Sequence, residues 1–161
     1  MWAVSYTHLD VYKRQGFGIR SVDDSREGIE RFLKRNPMTS VVAVQNGRII
    51  GDVLCGHDGR QGSFYHVCVH PDYRKHGVGS KMVHFAMKAL KKEGISKITL
   101  IAFKSNEVGN VFWKEIGWTE RDDVNYYEAV LNEENSKMCI RDSMQRITLW
   151  RRLRKAFRFW R

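Results

Sequence analysis

The feature that most constrains this chain is an apolar strand pattern that runs into a basic, glycine-containing turn and then into a helix. It spans residues 67–80, which read Val-Cys-Val-His-Pro-Asp-Tyr-Arg-Lys-His-Gly-Val-Gly-Ser. Gly77 and Gly79 remove side-chain bulk where backbone amides would approach a ligand, and amides at a helix start attract anions. Arg74 and Lys75 add positive charge there. The segment predicts a phosphate cradle, and an ordinary strand-to-helix connection is the alternative that this spacing leaves open.

Two common phosphate-binding motifs do not occur in the sequence. There is no Gly-x-x-x-x-Gly-Lys-Ser/Thr run, which argues against ATP or GTP binding through a P-loop. A dinucleotide fingerprint needs a small residue three positions after Gly79, where this chain has Met82, and an acidic residue at the end of the next strand. That strand ends with Phe-Lys-Ser-Asn at residues 103–106 instead.

Turn signals predict three strands before the cradle. β-Branched residues flank Asn46-Gly47, which is a strong hairpin signal. Asp58-Gly59 is a second hairpin signal. The predicted strands span residues 41–45, 48–55 and 63–69.

Helical and strand patterns alternate after the cradle. Residues 80–93 predict a helix that ends at Gly94. Its apolar face consists of Val83, Ala86, Met87 and Leu90. The remaining predicted elements are a buried strand at 97–103, a short helix within 109–118 and a final strand at 126–131.

The pattern Arg74-x-x-Gly77-x-Gly79 resembles the Q/R-x-x-G-x-G/A pyrophosphate loop of the GCN5-related N-acetyltransferase (GNAT) family. Asn106 and the segment 109–118 resemble that family's asparagine followed by an aromatic pair, a short helix and a Gly-aromatic step. The likeness extends over about residues 16–131. It implies an α/β (α+β) fold with a mixed, mostly antiparallel sheet and flanking helices. The predicted order β-β-β-α-β-α-β is that of the family's later part, so we expect the first strand and first helix to be missing.

The resemblance implies an acyltransferase that moves an acetyl group from acetyl-CoA to a primary amine by direct attack in a ternary complex, without a metal. The third strand would separate from its neighbour so that its backbone pairs with the pantetheine arm. Asn106 would contact the same arm. The implied cofactor-binding residues are Val67, Val69, Arg74, Lys75, His76, Gly77, Val78, Gly79, Ser80 and Asn106.

Two histidines are the candidate catalytic bases. His66 lies on the third strand and His57 lies in the turn before it. A free imidazole has a pKa near ~6.5, which suits proton removal from an amine, although a lone strand histidine is often a hydrogen-bonded core residue. Family relatives often carry a glutamate near the position of Ser63. Cys68 shares a face with His66 and permits a cysteine relay, with packing as its other interpretation.

The leaving-group acid departs from the family pattern. Trp113 stands where many relatives carry a tyrosine that protonates the thiolate, and an indole N–H does not shuttle protons. Tyr126 and Tyr127 are possible substitutes. A thiolate can also leave without a protein acid, because the pKa of its thiol is ~8.5.

Composition and charge differ between the middle and the ends of the chain. Its 161 residues, 42% hydrophobic, suffice for one core, and the net charge of +10 is concentrated in residues 144–161, which hold no acid. The strings at 5–15 and 137–143 resemble translated sequencing adapter. We therefore expect a foreign leader at 1–15, an acetyltransferase domain at 16–132 and a foreign basic tail at 133–161. Three cysteines without metal or thioredoxin spacing favour reduced thiols and a cytoplasmic location.

Two alternative functions remain at this point. The tail could form a basic amphipathic helix, which suits a membrane surface or a nucleic acid. The domain could also bind CoA without catalysis. The core itself is expected to bind an amine-bearing acceptor, either a small molecule or a protein amine, and no nucleic acid or membrane.

Overall fold

The computed structural model describes residues 22–135. The predicted leader at 1–15 lies outside these residues, and so does the predicted tail apart from residues 133–135. Within the tail, Asn135 accepts a hydrogen bond from the Val22 amide through Oδ1, at 2.6 Å. The domain boundaries stay predictions.

A helix that the sequence analysis did not assign precedes the first described strand. A 3₁₀ turn (Val22–Asp24) leads into helix α1 (Arg26–Arg35). The Ser25 hydroxyl caps α1 by accepting a hydrogen bond from the Gly28 amide at 3.1 Å. Basic residues occupy the last turn of α1, where the helix dipole favours them.

The four strands within residues 22–135 form one mixed sheet in the order β1-β2-β3-β4. The β1–β2 and β2–β3 pairs are antiparallel and the β3–β4 pair is parallel, which confirms the expected fold class. Asn46 and Gly47 both have positive φ, as a two-residue hairpin turn requires. The strands are β1 (Val41–Gln45), β2 (Arg48–His57), β3 (Gly62–Val69) and β4 (Ile98–Leu100).

Helices cover both faces of the sheet. Helix α2 (Val78–Lys92) buries its predicted face on one side, with Val83, Ala86 and Leu90 fully enclosed, and ends at Gly94, whose φ is +80°. Helix α3 (Glu107–Glu115) borders the same core through its aromatic residues. Helix α1 packs on the opposite face through Ile29. No helix within residues 22–135 is long and apolar enough to cross a membrane.

The carboxyl-terminal part differs from the sequence prediction. The strand predicted at 97–103 is confined to β4, and the final strand predicted at 126–131 is wrong, because no strand forms there. Tyr127 and Leu131 are almost fully exposed. A strand needs a partner for its backbone groups, and the short β4 does not provide a ladder of that length.

The 3₁₀ turn packs so closely against α1 that position 28 requires a glycine. A Cβ at this position would overlap the carbonyl oxygen of Asp23, which is backbone and cannot move aside easily. We expect Gly28→Ala to lower the free energy of unfolding by roughly 1–3 kcal/mol through this overlap, although alanine favours a helix by about 1 kcal/mol.

Urea unfolding measures this change. Lys34→Ala, on the exposed side of the same helix, should shift the free energy of unfolding by no more than about 0.5 kcal/mol. A Gly28→Ala protein as stable as the parent would contradict the prediction.

Candidate active site

Strand β3 changes its pairing along its length. It pairs with β2 from Gly62 to Val69, but its parallel ladder with β4 runs only from Gly62 to Phe64. Tyr65 has no residue opposite it in β2, because Phe64 faces Cys55 and the next pair is His66 with Leu54. This bulge marks the point beyond which no described strand pairs with β3 on the β4 side.

The bulge decides where the backbone of β3 points. The His70 amide donates to the Ile50 carbonyl at 2.8 Å, so alternate residues back along the strand also turn their polar groups toward β2. Val67 and Val69 turn theirs the other way, toward the side where the β4 ladder has ended. This agrees with the expected separation of the strands. The Val69 carbonyl is nevertheless engaged, because it accepts a hydrogen bond from Arg74 Nε at 3.0 Å.

The predicted cradle follows β3 directly. A 3₁₀ turn (Pro71–Tyr73) leads to Lys75 and Gly77, which have left-handed φ values of 61° and 72°. The carbonyl of Gly77 accepts the first helical hydrogen bond from the Lys81 amide at 3.0 Å. Glycine is favoured at position 77 because its left-handed φ is unfavourable for other residues. At Gly79 the reason is space, since a Cβ there would lie 3.3 Å from the Phe112 ring.

The start of α2 lacks a side-chain cap. Ser25 caps α1 and Asn106 caps α3 by accepting a hydrogen bond from the Gly109 amide at 3.1 Å. Gly77 makes no such bond, so the first amides of α2, through Ser80, have no side-chain capping partner within residues 22–135. With the exposed Lys75 and His76 beside them, these amides form an electropositive surface that suits phosphate oxygens.

Sequence comparison identifies the family that shares this arrangement. Residues 6–118 match the profile of the Acetyltransferase (GNAT) family. The chain belongs to the GNAT acetyltransferase family. An acetyltransferase of Yersinia pestis is 31% identical over 106 residues, which cover 66% of this chain and 75% of the relative. An acetyltransferase of Pectobacterium atrosepticum is 37% identical over 89 residues, which cover 55% and 63%.

Solved GNAT structures share the fold. An aminoglycoside acetyltransferase from a soil metagenomic sample, in complex with sisomicin, superposes with a TM-score of 0.64 at 14% identity over 81% of this chain and 95% of that chain. An N-acetyltransferase of Thermoplasma acidophilum in complex with coenzyme A gives 0.63 at 19% identity over 77% and 91%. The family profile includes residues 6–15, and the predicted boundary near residue 16 stays a prediction.

His66 lies directly after the bulge and points to the α1 face of the sheet. Its ring is 6% exposed, and its Nε2 lies 3.3 Å from Oδ1 of Asp24 in the 3₁₀ turn. Its neighbour Tyr65 faces the same side, where its ring meets the Phe32 ring edge-on at 5.1 Å between centroids. The candidate base is therefore a buried histidine that is held by a carboxylate.

A second carboxylate lies in the same buried cluster. Asp52 is opposite Cys68 in the β2–β3 register and is only 4% exposed, and its Oδ1 makes no hydrogen bond with the described residues. Burial raises the pKa of Asp52 to about 7, while the charge of His66 and a hydrogen bond with Cys68 act in the opposite direction. Cys68 is 2% exposed, which favours its packing role over an acetyl relay.

His57 occupies a different place. It pairs with Gly62 at the end of β2, and its Nδ1 accepts a hydrogen bond from the Gly59 amide at 3.1 Å. Its own amide donates to Asn36 Oδ1 at 2.8 Å. The structure does not bring His57 and His66 together, and these contacts account for His57 as part of the turn.

The predicted site residues of α3 make packing and capping contacts. Trp113 packs in an aromatic cluster, with ring centroids 6.0 Å from Phe64, 4.9 Å from Trp118 and 5.0 Å from Phe112. Asn106 caps the helix through Oδ1. Tyr126 and Tyr127, the possible substitute acids, are exposed in a segment without regular structure.

Sequence reasoning missed both aspartates beside His66. Asp52 carried a signal, because it interrupts the apolar run Ile-Ile-Gly-Asp-Val-Leu-Cys, and a charged residue inside a buried strand needs a partner. Asp24 carried none, since Asp-Asp-Ser ahead of a helix is an ordinary capping sequence. Only the packing of α1 on the sheet brings Asp24 to His66.

The raised pKa of Asp52 makes stability depend on pH. An unfolded aspartate has a pKa near ~3.9, so the folded state holds its proton more firmly, and this stabilising contribution is present below about pH 4 and lost as the pH rises toward 7. We expect Asp52→Asn to exceed the parent in free energy of unfolding by roughly 1–3 kcal/mol at pH 8, with little difference at pH 4.

Urea unfolding across this pH range measures the difference. Asp58→Asn is a control of opposite sign, because hydrogen bonds from the Gln61 and Arg60 amides lower the pKa of Asp58, and its replacement should destabilise the protein above pH 4. A pH-independent effect of Asp52→Asn would show that Asp52 has the same pKa in the folded and unfolded states and would contradict the prediction.

Proposed function

We propose that this protein is an N-acetyltransferase that transfers an acetyl group from acetyl-CoA to a primary amine by direct attack in a ternary complex. One observation carries the proposal: the side of β3 beyond the β4 ladder and the uncapped start of α2 adjoin each other along the chain. A pantetheine arm requires an extended backbone to pair with, and a pyrophosphate requires clustered amides. Family membership and the CoA-bound neighbour from Thermoplasma acidophilum support this donor.

The pyrophosphate would lie at the start of α2. There the backbone amides would donate to phosphate oxygens, and the helix dipole would add roughly 0.3–1 kcal/mol. Arg74 ties this loop to β3 through the Val69 carbonyl and so maintains their spacing. The proposed amide donors are those of Lys75, His76, Gly77, Val78, Gly79 and Ser80.

The pantetheine arm would extend along β3 as an added strand. Val67 and Val69 direct their backbone groups to this side, where the Val69 carbonyl accepts a hydrogen bond from Arg74 Nε. A backbone amide near the bulge would stabilise the oxyanion that develops on the thioester carbonyl. Asn106 would reach the arm with its amide Nδ2, which makes no hydrogen bond with the described residues.

We assign the general base to His66 rather than His57. His66 follows the bulge, where the cleft between β3 and β4 ends and the thioester would lie. His57 pairs with Gly62, which lies four residues, or about 13 Å of strand, before His66. His66 would take the proton of the acceptor ammonium, directly or through water, and thereby release the lone pair that attacks.

The chain would not need its own acid for the leaving thiolate. Trp113 occupies the position of the family's tyrosine, and its indole packs against Phe64 and Trp118. A thiol pKa of about ~8.5 makes thiolate a competent leaving group near neutral pH. The structure supports a packing role for Trp113.

The acceptor would be an amine-bearing molecule. Neighbouring structures include aminoglycoside acetyltransferases, which supports a small cationic acceptor. It would approach from the α1 face, because α2 and the cradle lie on the other side of the sheet. Cys55 and Cys68 are buried thiols, which is consistent with a cytoplasmic enzyme.

Acetyl-CoA turnover tests the function. Thiol release is followed with aminoglycosides, polyamines and peptide amino termini as acceptors, and mass spectrometry identifies the acetylated amine. Turnover with formation of an N-acetyl product supports the proposal. Binding of CoA without turnover of any acceptor would indicate instead a CoA-binding protein that lacks catalysis.

Gly77 tests the pyrophosphate assignment. Its φ of 72° disfavours a β-branched residue, so Gly77→Val should shift the loop and weaken CoA binding at least tenfold, or by about 1.4 kcal/mol. Isothermal titration with CoA measures the affinity.

Gly59→Val is the matched control for this loop. Gly59 also has positive φ and open space around it, but lies in the turn at the opposite end of β3. It should lose stability without losing CoA affinity. Equal CoA affinity in a folded Gly77→Val protein would refute the assignment.

Trp113→Phe tests the absence of a proton role on α3. The ring cluster around Phe64 is retained in part, so we expect turnover within about fivefold of the parent and a modest loss of stability. Steady-state kinetics measure turnover. Near-complete loss with normal CoA binding would show that the indole takes part in the reaction.

A further inference from the structure

The 3₁₀ turn ahead of α1 places a carboxylate on the candidate base. Oδ1 of Asp24 lies 3.3 Å from Nε2 of His66, and the Asp24 side chain is 20% exposed. Its neighbour Asp23 behaves differently, since its side chain is 68% exposed and pairs with Arg31 at 3.3 Å. Two adjacent aspartates therefore have separate roles, one at the surface and one beneath α1.

Three features hold α1 and the 3₁₀ turn that carries Asp24. Ser25 caps α1, Gly28 lets the turn approach the helix, and Ile29 packs the helix against Leu54 on the sheet. Because Leu54 is opposite His66 in the β2–β3 register, the same packing that seats α1 also seats Asp24 on the imidazole. The contact is thus supported by residues of α1 and of β2.

Acidic side chains from two different elements face His66. Asp24 approaches from the 3₁₀ turn and Asp52 from β2, while the Cys68 thiol lies on β3 itself. Asp24 lies close enough to the imidazole to accept a hydrogen bond from its Nε2–H. Such a surrounding suits a histidine that becomes positively charged during the reaction.

We propose that Asp24 is a positioning residue, which orients the His66 imidazole through Nε2 and stabilises the imidazolium that forms when Nδ1 receives the acceptor's proton. This inference rests on the proposed function. It adds a residue from a segment that precedes the sheet and that the sequence motifs of the site do not include.

Each proton that the acceptor ammonium loses in the proposed transfer has an acceptor. The acceptor ammonium gives one proton to His66 Nδ1, directly or through water, and the resulting amine attacks the thioester carbonyl carbon. A C–N bond forms and the C–S bond breaks, with the electron pair leaving on sulfur. A second amine proton passes to the thiolate as CoA thiol, and His66 returns its proton to solvent.

Asp24→Asn tests the inference, with Asp23→Asn as its matched control. We expect Asp24→Asn to lower kcat roughly 10- to 100-fold at pH 7 with an unchanged KM for acetyl-CoA, and Asp24→Glu to restore part of the loss. The deficit of Asp24→Asn should shrink above pH 9, because more acceptor is then already neutral and needs no base. Asp23→Asn should match the parent throughout.

A double-mutant cycle separates positioning from a merely structural contact. His66→Gln should lower kcat, and Asp24→Asn in that background should lower it no further, since Asp24 acts through His66. Additive losses, or an Asp24→Asn protein equal to Asp23→Asn, would overturn the inference. Failure of the parent to turn over any amine would overturn the proposed function itself, and the inference with it.

Discussion

The end of the β3–β4 ladder at Phe64 is the constraint on which the rest of the site depends. Up to that residue, β3 lies between two strands, and its backbone groups belong to the sheet. After the bulge at Tyr65, one side of the strand no longer pairs with a described strand, while the β2 side remains paired to Val69. A ligand that pairs there would replace a missing strand, which gives it many weak, directional contacts without requiring a deep cavity.

The bulge also places Phe64 and His66 on opposite faces of the sheet. Phe64 points to the α2 side, where it joins Trp113 and Trp118, whereas His66 points to the α1 side. Without the extra residue, the side chains beyond Phe64 would alternate onto the opposite faces. In the proposed function, cofactor and acceptor would therefore approach from different faces of the sheet.

The buried carboxylate of Asp52 is the main energetic disadvantage of this arrangement. Removing a carboxylate from water is unfavourable unless charge and hydrogen bonds compensate it, and one oxygen of Asp52 makes no hydrogen bond with the described residues. A well-packed apolar side chain at this position would make the folded state more stable. The cluster of Asp24, Asp52 and His66 is consistent with a structure that is less stable where the proposed mechanism transfers a proton.

Much of this molecule follows from local sequence. Asn46-Gly47 adopts its hairpin because both residues tolerate positive φ, Gly94 ends α2 for the same reason, and Gly77 with Gly79 shapes the cradle. These are properties of one or two residues and their immediate neighbours, so the sequence by itself determined them. The hairpins, the α2 face and the loop were predicted for that reason.

Tertiary structure decided what depends on residues far apart in the chain. Residues 126–131 have strand-forming side chains but no ladder to join, so propensity alone misled. Helix α1 was missed because its short apolar face becomes recognisable only against Leu54. The contact of Asp24 with His66 spans more than forty positions and exists only because α1 packs on the sheet, since no local pattern specifies which distant carboxylate will meet a given histidine.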